Sequence, residues 1–198
     1  MKIPFTIGVT GGIGSGKSSF CEIFKDMGIP VFTGDLQARA MMNESRVIRR
    51  SVIKHFGPSA YVDGELDRKF IASIVFNDKK KLELLNSITL PHLWRRFHKW
   101  CRRQTSPCVM MESATLIEHG GQDHVDHILV VTAPLEMRIE RTMKRDNSTR
   151  EQVEARIGSQ ISEEERLNAA QTVIHNDGDA QHLLAQAIEF KKYLSLIP

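Results

Sequence analysis

The sequence predicts an α/β protein, a three-layer sandwich of about five parallel strands with helices on both faces. Three observations carry that expectation. Short apolar runs, the pattern of strands buried on both faces, alternate along the chain with longer stretches of helical periodicity. The first run, Phe5-Thr6-Ile7-Gly8-Val9-Thr10, leads directly into Gly11-Gly12-Ile13-Gly14-Ser15-Gly16-Lys17-Ser18. Behind that glycine-rich stretch, Phe20, Ile23, Phe24 and Met27 recur at helical spacing.

The stretch fits G-x-x-x-x-G-K-[ST], the phosphate-binding loop of P-loop NTPases. Its flanks supply the strand, loop and helix order that aims backbone N–H groups and the helix dipole at an anion. Gly12, Ile13, Gly14, Ser15, Gly16, Lys17, Ser18 and Ser19 are therefore the expected nucleotide-binding residues. Lys17 is expected to reach the β- and γ-phosphates and Ser18 to bind Mg²⁺. The loop specifies a nucleoside triphosphate and is silent on what receives the phosphate.

Bulk properties narrow the class. A chain of 198 residues with 41% hydrophobic content supports one sizeable core, here residues 1–198, with room for small inserted regions. A net charge of +3 is as expected for an enzyme handling several phosphates as for a nucleic-acid binder. Three cysteines, Cys21, Cys101 and Cys108, without C-x-x-C spacing exclude a disulfide framework and point to a reducing, cytoplasmic setting. The N-terminal apolar run cannot be a cleaved signal without destroying the loop, and no run approaches the roughly 18 residues of a membrane span.

Taken in order, Gly28 is the expected cap of the first helix, and Ile29-Pro30-Val31-Phe32-Thr33 reads as the second strand. Gly34-Asp35 follows it. A carboxylate just past the carboxyl end of a strand lies where open α/β sheets bind ligands, so Asp35 is a candidate base facing the γ-phosphate. The same position suits an N-cap for a helix over Leu36 to Met42, and the residues leave both roles open. Residues 45–105 read as helical, interrupted between Gly57-Pro58 and Gly64. Pro91 is expected to begin or kink the last of these helices. Leu93, Trp94, Phe97, Trp100 and Cys101 form its apolar face, and Arg95, Arg96, Lys99, Arg102 and Arg103 lie largely on the other. That basic face is a candidate dock for an anionic acceptor or, as the weakest reading, for nucleic acid.

Pro107 to Ala114 reads as a third buried strand, with Glu112 at its end, where P-loop proteins place a carboxylate on the metal's water shell. His119, His124 and His127 share the following loop, but no cysteine or second cluster joins them, so no metal site is expected there. Asp126 to Thr132 is the fourth strand, and Pro134 is placed as N1 of the next helix. Arg138, Arg141 and Arg145 step along one side of that helix. Ser148-Thr149-Arg150-Glu151 and Ser162-Glu163-Glu164-Glu165 read as capping boxes of two short helices. Residues 138–168 thus resemble an arginine-bearing lid, which on closing brings guanidinium groups to a transferring phosphoryl group. Thr172 to Asn176 is the last strand. The closing helix presents Leu183, Leu184, Ala187, Ile188 and Tyr193 as its apolar face.

Over essentially its full length the chain resembles the dephospho-coenzyme A kinase family. Thr10 to Ser18 matches that family's phosphate loop. Thr33-Gly34-Asp35-Leu36-Gln37-Ala38-Arg39 matches its D-A-D and A-R run, with Thr33 for the first aspartate and Asp35 for the second. Phe56-Gly57, Asp63-Gly64, Leu66-Asp67-Arg68 and Val75-Phe76 match its acceptor-binding region, and Leu90-Pro91-His92 stands near its His-Pro pair. Glu112-Ser113-Ala114-Thr115-Leu116-Ile117-Glu118 keeps both acidic ends of D-x-P-L-L-F-E. Arg141, Arg145, Arg156 and Gln160 stand at the family's lid spacings, and Ala170 to Asn176 matches A-D-x-V-I-x-N with Gln171 for the aspartate.

The resemblance implies transfer of the ATP γ-phosphoryl group to the ribose 3′-hydroxyl of dephospho-coenzyme A, with Mg²⁺ as cofactor. It implies catalytic roles for Asp35, Lys17, Arg141 and Arg145, and a nucleotide contact for Asn176. Ser18 would hold the metal directly and Glu112 through water. Residues 45–105 become the acceptor-binding region and 138–168 the lid. The expected partners are ATP and dephospho-coenzyme A, with no nucleic acid or membrane, and the expected state is a monomer, a weak oligomer being the variant of it. The nearest alternative is another small-molecule P-loop kinase, of nucleoside monophosphate or shikimate type. A GTP-dependent switch would want N-K-x-D, where this chain has Asn176-Asp177-Gly178-Asp179.

Overall fold

A computed structural model describes residues 3–76 and 78–195, which divide into two compact units: Met1–Thr33 with Cys101–Pro198, and Gly34–Trp100. The first unit is built on a five-stranded sheet in the order β2-β5-β1-β6-β7. Its strands are β1 (Phe5–Thr10), β2 (Val31–Thr33), β5 (Cys108–Glu112), β6 (His127–Thr132) and β7 (Thr172–His175), and every pairing is parallel. The α/β expectation holds. Strands β1, β5 and β6 are buried almost throughout, which is why they read as apolar runs without alternation.

One face of this sheet packs on helices α1 (Lys17–Asp26) and α9 (Ala180–Leu194). Ile7, Val9, Met110, Leu129, Val131 and Ile174 meet Phe20, Phe24, Leu183, Ala187 and Phe190 in one core. Helix α1 ends in a Schellman motif, with Gly28 N–H on the Lys25 carbonyl and Ile29 N–H on the Phe24 carbonyl, both at 2.9 Å. That turn aims the chain into β2. The strand is shorter than expected at its start, because Pro30 has no N–H to give, although its carbonyl still accepts from Met110 N–H. In α9 the buried face is Leu183, Ala187 and Phe190, whereas Leu184, Ile188 and Tyr193, expected inside, are exposed. The i, i+4 pattern of that helix supports two apolar stripes, and only one meets the sheet.

Helix α6 (Leu135–Asp146) is followed by α7 (Arg150–Gly158) and α8 (Glu163–Asn168). Pro134 is the N-cap of α6 with an extended ψ of 141°, one position before the expected N1. Asn147 ends α6 at φ 49°, and the turn it makes sets the next cap at Thr149 with Gln152. The capping box is therefore one residue later than the Ser148–Glu151 pairing. Ser162 and Glu165 cap α8 as expected.

Buried His127 illustrates how packing sets a protonation state. Its Nε2 lies 2.9 Å from Thr172 Oγ1, and its ring meets Phe5, Phe190 and Tyr193. Burial pushes its pKa below the ordinary 6.5. The unfolded chain then takes up the proton first, so stability is full above that value and falls as pH drops through it. We expect Tm to fall by a few degrees between pH 7.5 and 5.5, with a smaller fall in His127→Gln; equal slopes in a thermal melt series would contradict the assignment.

The second unit is helical around one small hairpin. Helices α2 (Gly34–Glu44), α3 (Arg46–Phe56), α4 (Arg68–Val75) and α5 (Lys79–Cys101) accompany β3 (Tyr61–Val62) and β4 (Glu65–Leu66), which pair antiparallel. The glycine-containing interruption is thus a hairpin. Helix α2 begins at Gly34, directly after β2, so Asp35 lies in its first turn and does not cap it. Helix α5 runs unbroken for 23 residues with Pro91 inside it. Leu85, Thr89, Leu93, Phe97 and Cys101 are buried along one stripe, while Ser87 and Pro91 share the exposed side. Pro91 has no N–H to give the Ser87 carbonyl, and both residues lie on the exposed side of the helix. Among the basic residues of α5, Arg96 pairs with Glu44 at 2.8 Å, and Arg95 and Lys99 are exposed.

Candidate active site

The parallel sheet sends the carboxyl ends of β1, β5 and β2 to the same edge, the ligand-binding edge of an open α/β sheet. Register makes this concrete: Thr33 pairs with Glu112, and Glu112 with Val9, one residue before the end of β1. The glycine loop leaves β1 there and enters α1 at Lys17. Gly16, the N-cap, holds φ 93°, a conformation side-chain-bearing residues avoid. A Cβ on Gly16 would also sit 2.0 Å from Asn176 Nδ2.

That contact explains Asn176. The residue is buried at the end of β7, where its backbone N–H bonds the Thr132 carbonyl at 2.7 Å. Its side-chain amide donates to the Ser15 carbonyl at 2.8 Å, and its own carbonyl accepts from Arg141 Nη1 at 2.9 Å. Asn176 thus ties β7 to the glycine loop from the inside, and Arg141 is anchored to the same residue.

The two residues expected at a metal lie together. Ser18 Oγ, on the exposed first turn of α1, donates to Glu112 Oε1 at 2.5 Å, and Glu112 is buried at the end of β5. A hydroxyl and a carboxylate form an all-oxygen donor pair, the chemistry hard divalent cations take. Lys17, half-buried, and Ser19, exposed, occupy the same first turn.

The rest of the loop is gripped by the segment after β6. Ile13 N–H donates to Gln160 Oε1 at 2.9 Å, and the Ile13 carbonyl accepts from Arg138 Nε at 3.0 Å. Arg138 lies so close that a Cβ on Gly12 would meet its Nη2 at 2.0 Å. Arg138, Arg141 and Arg145 therefore do not act along one side of α6. Arg138 is 4% exposed and bonded to the loop, Arg141 reaches Asn176, and Arg145 is exposed. Arg145 donates to Asp146 at 2.7 Å, and Asp146 also accepts from Arg156 at 2.7 Å. The hydrogen bonds of those two arginines hold the Asp146 carboxyl far below the usual carboxylate range.

Asp35 lies two residues along the chain from Thr33, exposed in the first turn of α2. Gln171 accepts from Ile128 N–H at 2.6 Å through its side chain, so it pairs β6 at the start of β7. Among the three loop histidines, His127 belongs to β6 and His119 Nδ1 lies 3.1 Å from Thr115 Oγ1. Arg166, 1% exposed, and its partner Glu163 went unnoticed as site residues in the sequence. Arg166 and Glu163 pair at i, i+3 within α8, a spacing common on any helix surface, and the partners that draw them inward, Arg138 and Thr132, lie in other elements.

A family model described as Dephospho-CoA kinase matches residues 5–182 of the chain. A dephospho-CoA kinase of Bacteroides fragilis is 38% identical over 189 residues, covering 95% of this chain and 92% of that protein. Among solved structures, a protein from Thermus thermophilus is similar over 100% of both chains, with 35% identity and a TM-score of 0.85. A dephospho-CoA kinase from Campylobacter jejuni is similar over 96% of both chains, with 25% identity and a TM-score of 0.70.

Proposed function

The chain belongs to the dephospho-CoA kinase family, and from that premise we propose how its own residues carry transfer of the ATP γ-phosphoryl group to the 3′-hydroxyl of dephospho-CoA. Membership makes the protein a kinase of coenzyme A biosynthesis. Its substrates are then ATP and dephospho-CoA. The observation that carries the residue-level reading is the Ser18–Glu112 contact at the mouth of the glycine loop, because it brings an oxygen pair to the point where a triphosphate's charge would lie.

In phosphoryl transfer there is little covalent work for the protein, so positioning and charge stabilisation dominate. The glycine loop from Gly12 to Ser19 takes the phosphates with the amides that remain once Gln160 holds Ile13 N–H and the Gly12 carbonyl holds Ser15 N–H, together with the positive end of α1. The buried Ser15 hydroxyl, which has no hydrogen-bond partner among the described residues, supports a ligand at the loop. Lys17 neutralises the β- and γ-oxygens. Ser18, and Glu112 through water, would hold Mg²⁺, and a bound Mg²⁺ would supply charge neutralisation to the triphosphate. Asp35 takes the proton of the acceptor hydroxyl, supported by its place just beyond the carboxyl end of β2. Arg141 and Arg145 stabilise charge on the transferring group, with 138–168 as lid and 45–105 as acceptor region. Asn176 serves the nucleotide site through the loop that it ties down. The protein acts as a cytoplasmic monomer, a setting with which its three buried free thiols accord.

A coupled ADP-release assay tests this. ADP release dependent on dephospho-CoA is expected. ATP binding without it, or faster turnover of shikimate or a nucleoside monophosphate, would remove the acceptor assignment.

A further inference from the structure

Behind the glycine loop lies a charge cluster that phosphoryl transfer itself does not require. Glu163 Oε2 accepts from Arg138 Nη1 at 3.0 Å and from Arg166 Nη1 at 2.5 Å. Its other oxygen, Oε1, accepts from Thr132 Oγ1 at 2.5 Å, at the carboxyl end of β6. Both guanidinium groups are almost fully buried, at 4% and 1% exposure. One carboxylate thus bridges two buried cations and fixes both guanidinium groups. Burial pushes the Arg138 pKa down and Glu163 pulls it back up.

The cluster reaches the loop at one residue. Arg138 Nε holds the Ile13 carbonyl, and Gln160 Oε1 holds the Ile13 N–H. Arg166 Nη2 meanwhile donates to the Ile161 carbonyl at 3.1 Å, tying the segment that carries Gln160 to the same carboxylate. Both peptide groups flanking Ile13 are therefore fixed by residues 138 to 166, which lie far away in sequence. The loop's conformation, and with it the aim of its amides, is over-determined from outside.

We propose that Gln160 and Glu163 are positioning residues for the nucleotide: through Ile13 they hold the glycine loop in its phosphate-binding form, Gln160 on the N–H and Glu163 by anchoring the Arg138 that holds the carbonyl. This deepens the reading of the loop as an ATP site and rests on it. Glu163 acts through Arg138, and Gln160 acts directly on Ile13 N–H.

Two variants test the proposal. Gln160→Leu removes the acceptor for Ile13 N–H at nearly constant volume and leaves the buried charges alone. Glu163→Gln keeps the shape and removes the compensating charge. In each, ATP affinity is measured by calorimetry, with KM for both substrates, kcat and Tm. A rise in the ATP dissociation constant and KM of about fivefold or more, with KM for dephospho-CoA within twofold of native, supports the proposal. Because both changes act through one residue, the double variant should weaken ATP by less than the product of the single effects. A purely structural role would lower Tm and the active fraction while leaving the ATP dissociation constant within twofold, and that result in Gln160→Leu overturns the proposal even if Glu163→Gln fails to fold. Native protein that binds ATP, weakens as described in the variants and yet leaves dephospho-CoA untouched would sink the acceptor assignment and uphold this one.

Discussion

Asp35→Asn is expected to lower kcat with dephospho-CoA by about 10²–10⁴, the range for losing a general base, while ATP affinity stays within about threefold of native. The amide has the same shape as the carboxylate but cannot take a proton. Asp35 sits in the first turn of α2, where asparagine is also tolerated, so the helix should survive the change. We infer this role from its place in the chain. Strand β2 ends at Thr33, level with Glu112 in the register, and the chain turns into α2 without an intervening loop residue. Steady-state kinetics with both substrates, together with calorimetry for ATP, separate the two effects. A variant that retains kcat within tenfold of native would show that the acceptor hydroxyl needs no base at this position. A variant that loses ATP binding would instead give Asp35 a role at the triphosphate.

The sequence displays some of this site and conceals the rest for definite reasons. Strand β1, the glycine loop and the start of α1 were legible because their signals are local: an apolar run, a fixed spacing and a helical period within about twenty residues. The pairing of Ser18 with Glu112 was legible in kind, since Ser18 opens the helix behind the glycine loop and Glu112 stands at the carboxyl end of a buried strand. The order of strands that brings them together was not. The arginines of α6 show the limit best. Arg138, Arg141 and Arg145 share a face by spacing, yet Arg138 is drawn inside by Glu163 and Ile13, and Arg145 stays outside on Asp146. Long-range partners decided where Arg138 and Arg141 went, whereas Arg145 pairs with its own neighbour Asp146, and helical periodicity carries no information about the distant partners. The overlapping candidate caps at Ser148 and Thr149 differ by a single residue, and the left-handed turn at Asn147 chose between them. Pro91 reads in the sequence as beginning or kinking a helix; it does not begin one, because α5 starts at Lys79 and runs through it.

Lys17→Ala should give the second large effect, a fall in kcat of about 10²–10³, or roughly 2.7–4 kcal/mol of transition-state stabilisation. Lys17 is the first residue of α1, directly after the left-handed Gly16, so its ammonium shares its location with the helix's own positive end. The backbone amides and the dipole remain in the variant and continue to hold the ground-state triphosphate. The ammonium is expected to matter most as charge builds on the oxygens around the transferring phosphorus, and its loss should therefore fall on kcat more than on ATP affinity. Alanine favours helix, so α1 and the core that it shares with β1 should keep their stability. Lys17→Arg separates charge from geometry. A guanidinium keeps the charge but spreads it over a rigid fork on a longer stem, and at a point-charge site it should restore less than a tenth of the lost activity. Full recovery in Lys17→Arg would mean that net charge near the loop suffices. An unchanged kcat in Lys17→Ala would mean that the amides, the N-terminus of α1 and the buried cations beneath Ile13 already supply the stabilisation assigned to the lysine.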